Sequence, residues 1–227
     1  MPRQQTVRRR KTRQAPTPVP APNHEALAEE LPQQQELLVR AAYRLIASKG
    51  IERTTLQNIA DAAGVSKALA VYYFKTKENL LLAAIRWVLA RVTERMTNAV
   101  ASVEQPEERV RAMIDTIFVD PRRNRDFYLA YTALIAEAAR NERFNELNTT
   151  FRSIMNAAYA DLIRAGDGTV FVVDDVEEAA MGVRALIDGF FLQWLEETHW
   201  TEVHGRYKEA CARAILTYLG AAPESAR

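Results

Sequence analysis

Three observations make this sequence that of an all-α protein. Of its 227 residues 48% are hydrophobic and only eight are glycine, a balance that favours packed helices over a loop-rich fold. From about residue 33 onward, apolar side chains recur at spacings of three and four, the repeat of one helix face. The single strand-like run, Val170-Phe171-Val172-Val173, has no second run to pair with and reads as a loop that packs. The chain is long enough to bury one sizeable core or two small ones. The expected division is an arm at 1–32, a three-helix domain at 33–80, a larger helical domain at 81–221, and a flexible tail at 222–227.

The arm comes first. Arg3, Arg8, Arg9, Arg10, Lys11 and Arg13 give the first thirteen residues six positive charges and no acid, so a net charge of +1 leaves −5 for the remainder. QAPTPVPAPNHEALAEELP follows, rich in proline and poor in large apolar groups, and is expected to be extended or disordered. Such an arm is either a solvated tail, or the product of an over-called start, or a source of extra phosphate and minor-groove contacts to DNA. A membrane surface suits it less well, since no amphipathic helix accompanies the arginines.

An amphipathic first helix closes on Gly50. Two short helical patterns then occupy 54–78, TTLQNIADAAGVSKALAVYYFKTKE, hinged on Ala62-Ala63-Gly64-Val65. Thr54 is positioned to cap the first, with Gln57 reaching back, and Leu56, Ile59, Ala60 and Ala63 share a face. Gly64 supplies the positive φ that ends it, and Val65 plugs the angle between the two helices. Ser66 caps a brief second helix at about 67–74, and Thr76 with Lys77-Glu78 starts a much longer one toward Ala101. Helix, glycine turn and short second helix is the arrangement that places a recognition helix in a DNA major groove, although spacing alone also fits an ordinary αα-hairpin.

The residues decide between those readings. Residues 36–82 resemble throughout the N-terminal domain of the tetracycline-repressor (TetR) family of bacterial transcription regulators. The likeness lies in the helix closing on Gly50, Thr54-Thr55, the IADAAGVSK core, the aromatic pair Tyr73-Phe74, and Lys77-Glu78 before a leucine run. It implies double-stranded operator DNA as a partner and a homodimer. The contact residues it leaves are Thr55, Ser66, Lys67, Ala68, Leu69, Tyr72 and Lys77. Lys67 can reach a guanine edge or a phosphate, and Leu69 can pack on a thymine methyl. Ala68-Leu69-Ala70-Val71 departs from the family habit of a small residue followed by Thr-Leu-Tyr, and so lacks hydroxyl groups for phosphate.

Beyond Thr76 the chain reads as helix almost to its end. Leu81, Ala84, Ile85, Val88, Leu89 and Val92 form an apolar face on the long helix, which makes that helix the natural lever. Pro106 with Glu107 and Glu108 opens the next helix, proline at the first position and acids in the first turn both being favourable. Asp120-Pro121 breaks it. Helices are expected at about 126–140 and 142–165, the second ending at Gly166-Asp167-Gly168. Asp174, with Glu177 reciprocal, is expected to cap a helix to about Thr198, and a last helix runs over about 203–219. Val183, Ile187, Phe190, Phe191 and Trp194 form a stripe broad enough for two partners, and Tyr207, Cys211, Ala214, Ile215 and Tyr218 match it on the last helix. These ten residues are expected at a four-helix dimer interface, or else complete a monomer core. A dimer would set two recognition helices about 34 Å apart on a near-palindromic site.

More weakly, about 105–195 resembles the regulatory domain of the betaine-repressor (BetI-like) branch, through AEAARNERFNELN and ALIDGFFLQW. The resemblance implies a ligand-binding and dimerisation domain with a small-molecule pocket among its middle helices. The bulky candidates to line it are Trp87, Phe118, Phe127, Tyr128, Tyr131, Phe151, Met155, Tyr159 and Trp194. With Asp188, such a cage could hold a quaternary ammonium by cation–π attraction. The implied function is a ligand-responsive repressor released by its effector, with an activator, or a regulator working through protein partners, as the alternative.

An enzyme finds little support. His24, His199 and His204 have no metal-ligand spacing, and no phosphate loop, nucleophile elbow or cysteine pair occurs, so neither metal nor cofactor is expected. Cys211 lies in an apolar stripe as a small core residue. With no apolar run of ~18 residues and no signal-peptide h-region, the expected location is cytoplasmic, at the nucleoid when DNA-bound.

Overall fold

In the computed structural model, the described residues are 31–221 together with Leu27, so nearly all of the basic arm and the tail at 222–227 lie outside them. The described residues form α1 (Gln33–Arg53), α2 (Leu56–Ala63), α3 (Lys67–Phe74), α4 (Lys77–Ala101), α5 (Pro106–Ile117), α6 (Pro121–Ala138), α7 (Glu142–Arg164), α8 (Val176–Leu195) and α9 (Trp200–Tyr218). No strand occurs among them; Asp167 and Phe171 form one isolated bridge.

The chain is helical because its apolar residues repeat with the helix and its ends are capped. Thr55, Ser66, Thr76, Asp120, Asn141 and Asp175 each accept a backbone N–H of the helix they precede. Two caps fall one residue later than the sequence pattern suggests. Thr54 is fully buried and its hydroxyl donates to the Gly50 carbonyl at 2.7 Å, which leaves Thr55 as the cap, while Gln57 bonds Asp61 instead of reaching back. Asp175, not Asp174, caps α8. Asp120-Pro121 begins α6 five residues before the expected start, because proline suits the first helical position and Asp120 caps it.

α4 is the spine. Leu80, Leu81, Ala84, Ile85 and Leu89 are at most 2% exposed, the leucines and isoleucine each contributing about 2 kcal/mol of apolar burial, and α4 packs against α1, α5 and α7. α1 belongs to both halves of the molecule: it packs on α2 in the three-helix unit and even more extensively on α6. The 170–173 run packs as a loop, with Phe171 fully buried and the Val172 N–H donating to the Leu219 carbonyl at 2.8 Å. A methyl at Gly166 would meet the Phe171 ring at 2.6 Å, which requires glycine at that turn.

Candidate nucleic-acid interface and effector cavity

The turn between α2 and α3 is fixed by hydrogen bonds. Gly64 sits at φ 69°, its N–H donates to the Asp61 carbonyl at 3.2 Å, and the Val65 N–H donates to Ala60 at 3.0 Å. This is the paired bonding of a Schellman ending. Ser66 then accepts from the Leu69 N–H at 3.1 Å and starts α3. Ala70 and Phe74 are buried, so α3 turns the opposite side to solvent: Ser66, Lys67, Ala68, Val71 and Tyr72.

Tyr72 is 67% exposed, well above Val71 at 39%. Leu69 is only half exposed, and Val71 joins the outward face at its expense. Thr55 is exposed as the α2 cap. Lys77 turns back to donate to the Glu52 carbonyl at 3.2 Å, so its ammonium serves the seam with α1. Tyr73 donates to Gln34 at 2.8 Å, which ties α3 to α1.

Sequence reasoning missed Lys75. It is the one non-glycine residue at positive φ (64°) among the described residues, it donates to the Tyr72 carbonyl at 2.8 Å, and its ammonium lies 5.3 Å from the Tyr72 ring centre. A strained backbone at the end of a recognition helix is a feature of functional segments. Nothing in the spacing announces it.

A cavity of about 440 Å³ opens between the two halves of the molecule, within the usual range for small-molecule sites. Of the ten pocket candidates, Trp87, Phe127, Tyr128, Tyr131, Phe151, Met155, Tyr159 and Asp188 line it. Phe118 and Trp194 do not. Phe118 stacks on Phe191 with centres 4.1 Å apart, and Trp194 is fully buried, its indole donating to the Trp200 carbonyl at 2.7 Å. Both fill the core behind the Tyr128 wall, where Tyr128 itself stacks on Phe191 at 3.7 Å.

The walls also hold residues absent from the expected lining: Arg40 and Tyr43 from α1, Arg91 and Arg95 from α4, Arg123 and Asp126 from α6, and Arg184 from α8. A signal existed in the spacing. Trp87, Arg91 and Arg95 recur every four residues on α4, and Arg40 and Tyr43 are three apart on α1. Arg91 stacks 4.5 Å from the Trp87 ring centre, and Arg184 bonds both the Tyr131 hydroxyl and, at 3.5 Å, Asp188. Burial pushes the Asp188 carboxyl above its ordinary value, with Arg184 opposing. Burial likewise raises the Tyr128, Tyr131 and Tyr159 phenols, with Asp188 adding to it.

The expected interface residues need correction. Val183, Ile187, Phe191, Trp194, Cys211 and Ile215 are at most 2% exposed within a single chain, so they complete its own core. Burial holds the Cys211 thiol up at about 12. Phe190, Tyr207 and Ala214 are half-buried and Tyr218 is exposed. The apolar face that α8 does present lies a turn further round: Met181, Ala185, Gly189 and Leu192 are exposed or half-exposed at spacings of four, four and three. Tyr218 lies against this helix at Gly182, where a methyl would collide with its hydroxyl.

No helix among the described residues is long and apolar enough to cross a membrane, and no group of three or more metal-ligating side chains occurs among them. Residues 38–84 match the family model for bacterial regulatory proteins of the tetR family, and 106–220 match that for the BetI-type transcriptional repressor C-terminal domain. The HTH-type transcriptional regulator BetI of Rhizobium meliloti (strain 1021) is 33% identical over 162 residues, 71% of this chain and 78% of that one. BetI of Agrobacterium fabrum is 32% identical over 71% and 77% of the two chains. Among solved structures, a transcriptional regulator from Saccharomonospora viridis in complex with choline shares the fold with a TM-score of 0.73 and 24% identity, covering 80% of this chain and 94% of that one. A TetR regulator from Haloarcula marismortui does so with a TM-score of 0.70 and 24% identity, over 82% and 96%. Proteins of this kind are regulators and not enzymes, and with both halves accounted for, the chain belongs to the TetR family of bacterial transcriptional regulators, with a BetI-type C-terminal domain.

Proposed function

We propose that this chain is a homodimeric, cytoplasmic repressor that binds a near-palindromic operator and leaves it when a small-molecule effector enters the cavity. The observation that carries this reading is the cavity's position. Arg40 and Tyr43 in its wall belong to α1, the helix to which α3 is tied through Tyr73 and Gln34. A ligand there touches the DNA-binding unit directly and needs no distant relay. Across the molecule, Arg143 of α7 donates to Asn79 at 2.9 Å and pairs with Glu78 at 3.3 Å, linking the regulatory domain to the first turn of α4. An effector that favours one setting of these contacts shifts the separation of the paired recognition helices.

Thr55, Ser66, Lys67, Ala68, Val71 and Tyr72 form the outward face that meets DNA in this reading. The exposed α8 stripe with Phe190, Ala214 and Tyr218 forms the dimer seam, where small residues at Ala185 and Gly189 let two helices approach. That the Saccharomonospora viridis relative holds choline supports an organic effector of modest size. The apolar Ala68 and Val71 on the outward face favour a second reading, in which DNA is read weakly and regulation works through a protein partner.

A gel shift with the DNA upstream of the chain's own gene separates the two. A discrete complex is expected at physiological salt, and Lys67→Ala is expected to weaken it about tenfold and lower the salt slope by about one. No complex at low salt, with folded dimer present, contradicts the repressor.

A further inference from the structure

We infer that the cavity takes an anionic effector, a carboxylate on an aromatic or aliphatic body, and that Arg184 is its anchor; this rests on the cavity being the effector site. A cation held by an aromatic cage needs open ring faces. Here one face of several of these rings is already in use. Trp87 has Arg91 at 4.5 Å and Arg40 at 5.9 Å from its centre, Phe151 has Arg184 at 5.7 Å, Tyr128 is stacked on Phe191, and Phe127 lies nearly parallel to Tyr131. What the walls also offer is ring edges, hydroxyls and five guanidinium groups, which attract negative charge and outnumber the two carboxylates of the lining, Asp126 and Asp188.

Arg184 is the most telling of these. Its side chain is only 13% exposed, Nη2 donates to the Tyr131 hydroxyl, and Nε reaches Asp188 at 3.5 Å. Nη1 is buried with no acceptor among the described residues. A buried donor on a charged group left without an acceptor is costly, and a carboxylate oxygen is the partner that removes the cost. The Tyr128 and Tyr159 hydroxyls, which also make no hydrogen bond among the described residues, add two donors to the same walls.

The mouth has the same sign. Arg40 and Arg91 share Glu36, at 4.0 and 3.2 Å, and Arg123 pairs with Asp120 at 3.2 Å. Arg95 makes no ion pair among the described residues, and Asp126 lines the same side of the cavity. Four guanidinium groups therefore face three carboxylates there. Burial, then Asp120, pushes the Asp126 carboxyl above its ordinary value.

The test is calorimetric titration of the full-length protein with 4-phenylbutyrate, its primary amide and (3-phenylpropyl)trimethylammonium, three probes alike in body and different in charge. The carboxylate is expected to bind about tenfold or more tighter than either other probe. Arg184→Met is expected to lose about tenfold in carboxylate affinity, and Arg95→Gln, on the exposed mouth, about threefold. Should Arg184→Met fail to fold, the order of the three probes and Arg95→Gln decide the matter. Amide or ammonium binding as tight as the carboxylate, no carboxylate binding at millimolar concentration, or undiminished binding in the variants overturns the proposal. An ammonium that binds and releases DNA would remove the anion and leave the effector reading standing. A carboxylate that binds and leaves DNA affinity unchanged would do the reverse.

Discussion

His204 shows how much a single residue's role depends on what surrounds it. In the sequence it is a histidine without metal-ligand spacing; in the fold it is buried between Phe118 and Trp194, with ring centres 5.5 and 5.2 Å away. Asn124 donates its amide to the Ile117 carbonyl, so its oxygen is free to accept at 2.9 Å from His204 Nε2, which assigns the proton to that nitrogen. Burial holds the imidazole below its ordinary value of 6.5, with Asp120 opposing and Lys208 assisting. The folded state therefore prefers the neutral ring. Its contribution to stability is complete above pH 6.5 and is lost as pH falls below that value. Melting from pH 7.5 down to 5 should show a steeper fall for the wild type than for His204→Gln; equal slopes would contradict the burial argument. Gly64 is the opposite case, a residue whose left-handed φ of 69° was legible because a glycine between two short apolar patterns has few other uses.

At the scale of elements, helix existence was legible and helix facing was not. The spacing of Leu81, Ala84, Ile85, Val88, Leu89 and Val92 is enough to specify α4, and Ser66 and Thr76 mark the starts of α3 and α4. Along α8, Val183, Ile187 and Phe191 read as apolar in the same way as Met181, Ala185 and Leu192. A stripe that covers most of a helix does not say which arc faces its own core and which faces a second copy. The same ambiguity misplaced Phe118 and Trp194, whose bulk is visible in the sequence and whose direction is not. Leu192 is 49% exposed, so Leu192→Glu costs the single chain little and places an unpaired carboxylate in the proposed seam. Such a charge costs on the order of 3 kcal/mol, about a hundredfold in the dimer constant. Sedimentation should show monomer at micromolar concentration with an unchanged helical spectrum, and a persisting dimer would move the seam elsewhere.

For the whole molecule, the two halves meet along a continuous structure in which α1 and α4 each serve both. The sequence suggested α4 as the lever because it visibly joins the domains. That α1 also packs on α6 and puts Arg40 and Tyr43 into the cavity wall depends on a contact between segments some eighty residues apart, which no local pattern encodes. Charges were legible one by one, but the gathering of five arginines around one cavity from four helices was not. The central claim, a dimer that reads two half-sites and gives them up to an effector, is tested most directly by footprinting the purified protein on DNA selected from its own genome, with and without a cavity ligand. The expected result is a protected near-palindrome with half-sites about one helical turn apart, and loss of protection when the ligand is added. Protection without two-fold symmetry, or a symmetric footprint that no cavity ligand relieves, would contradict it.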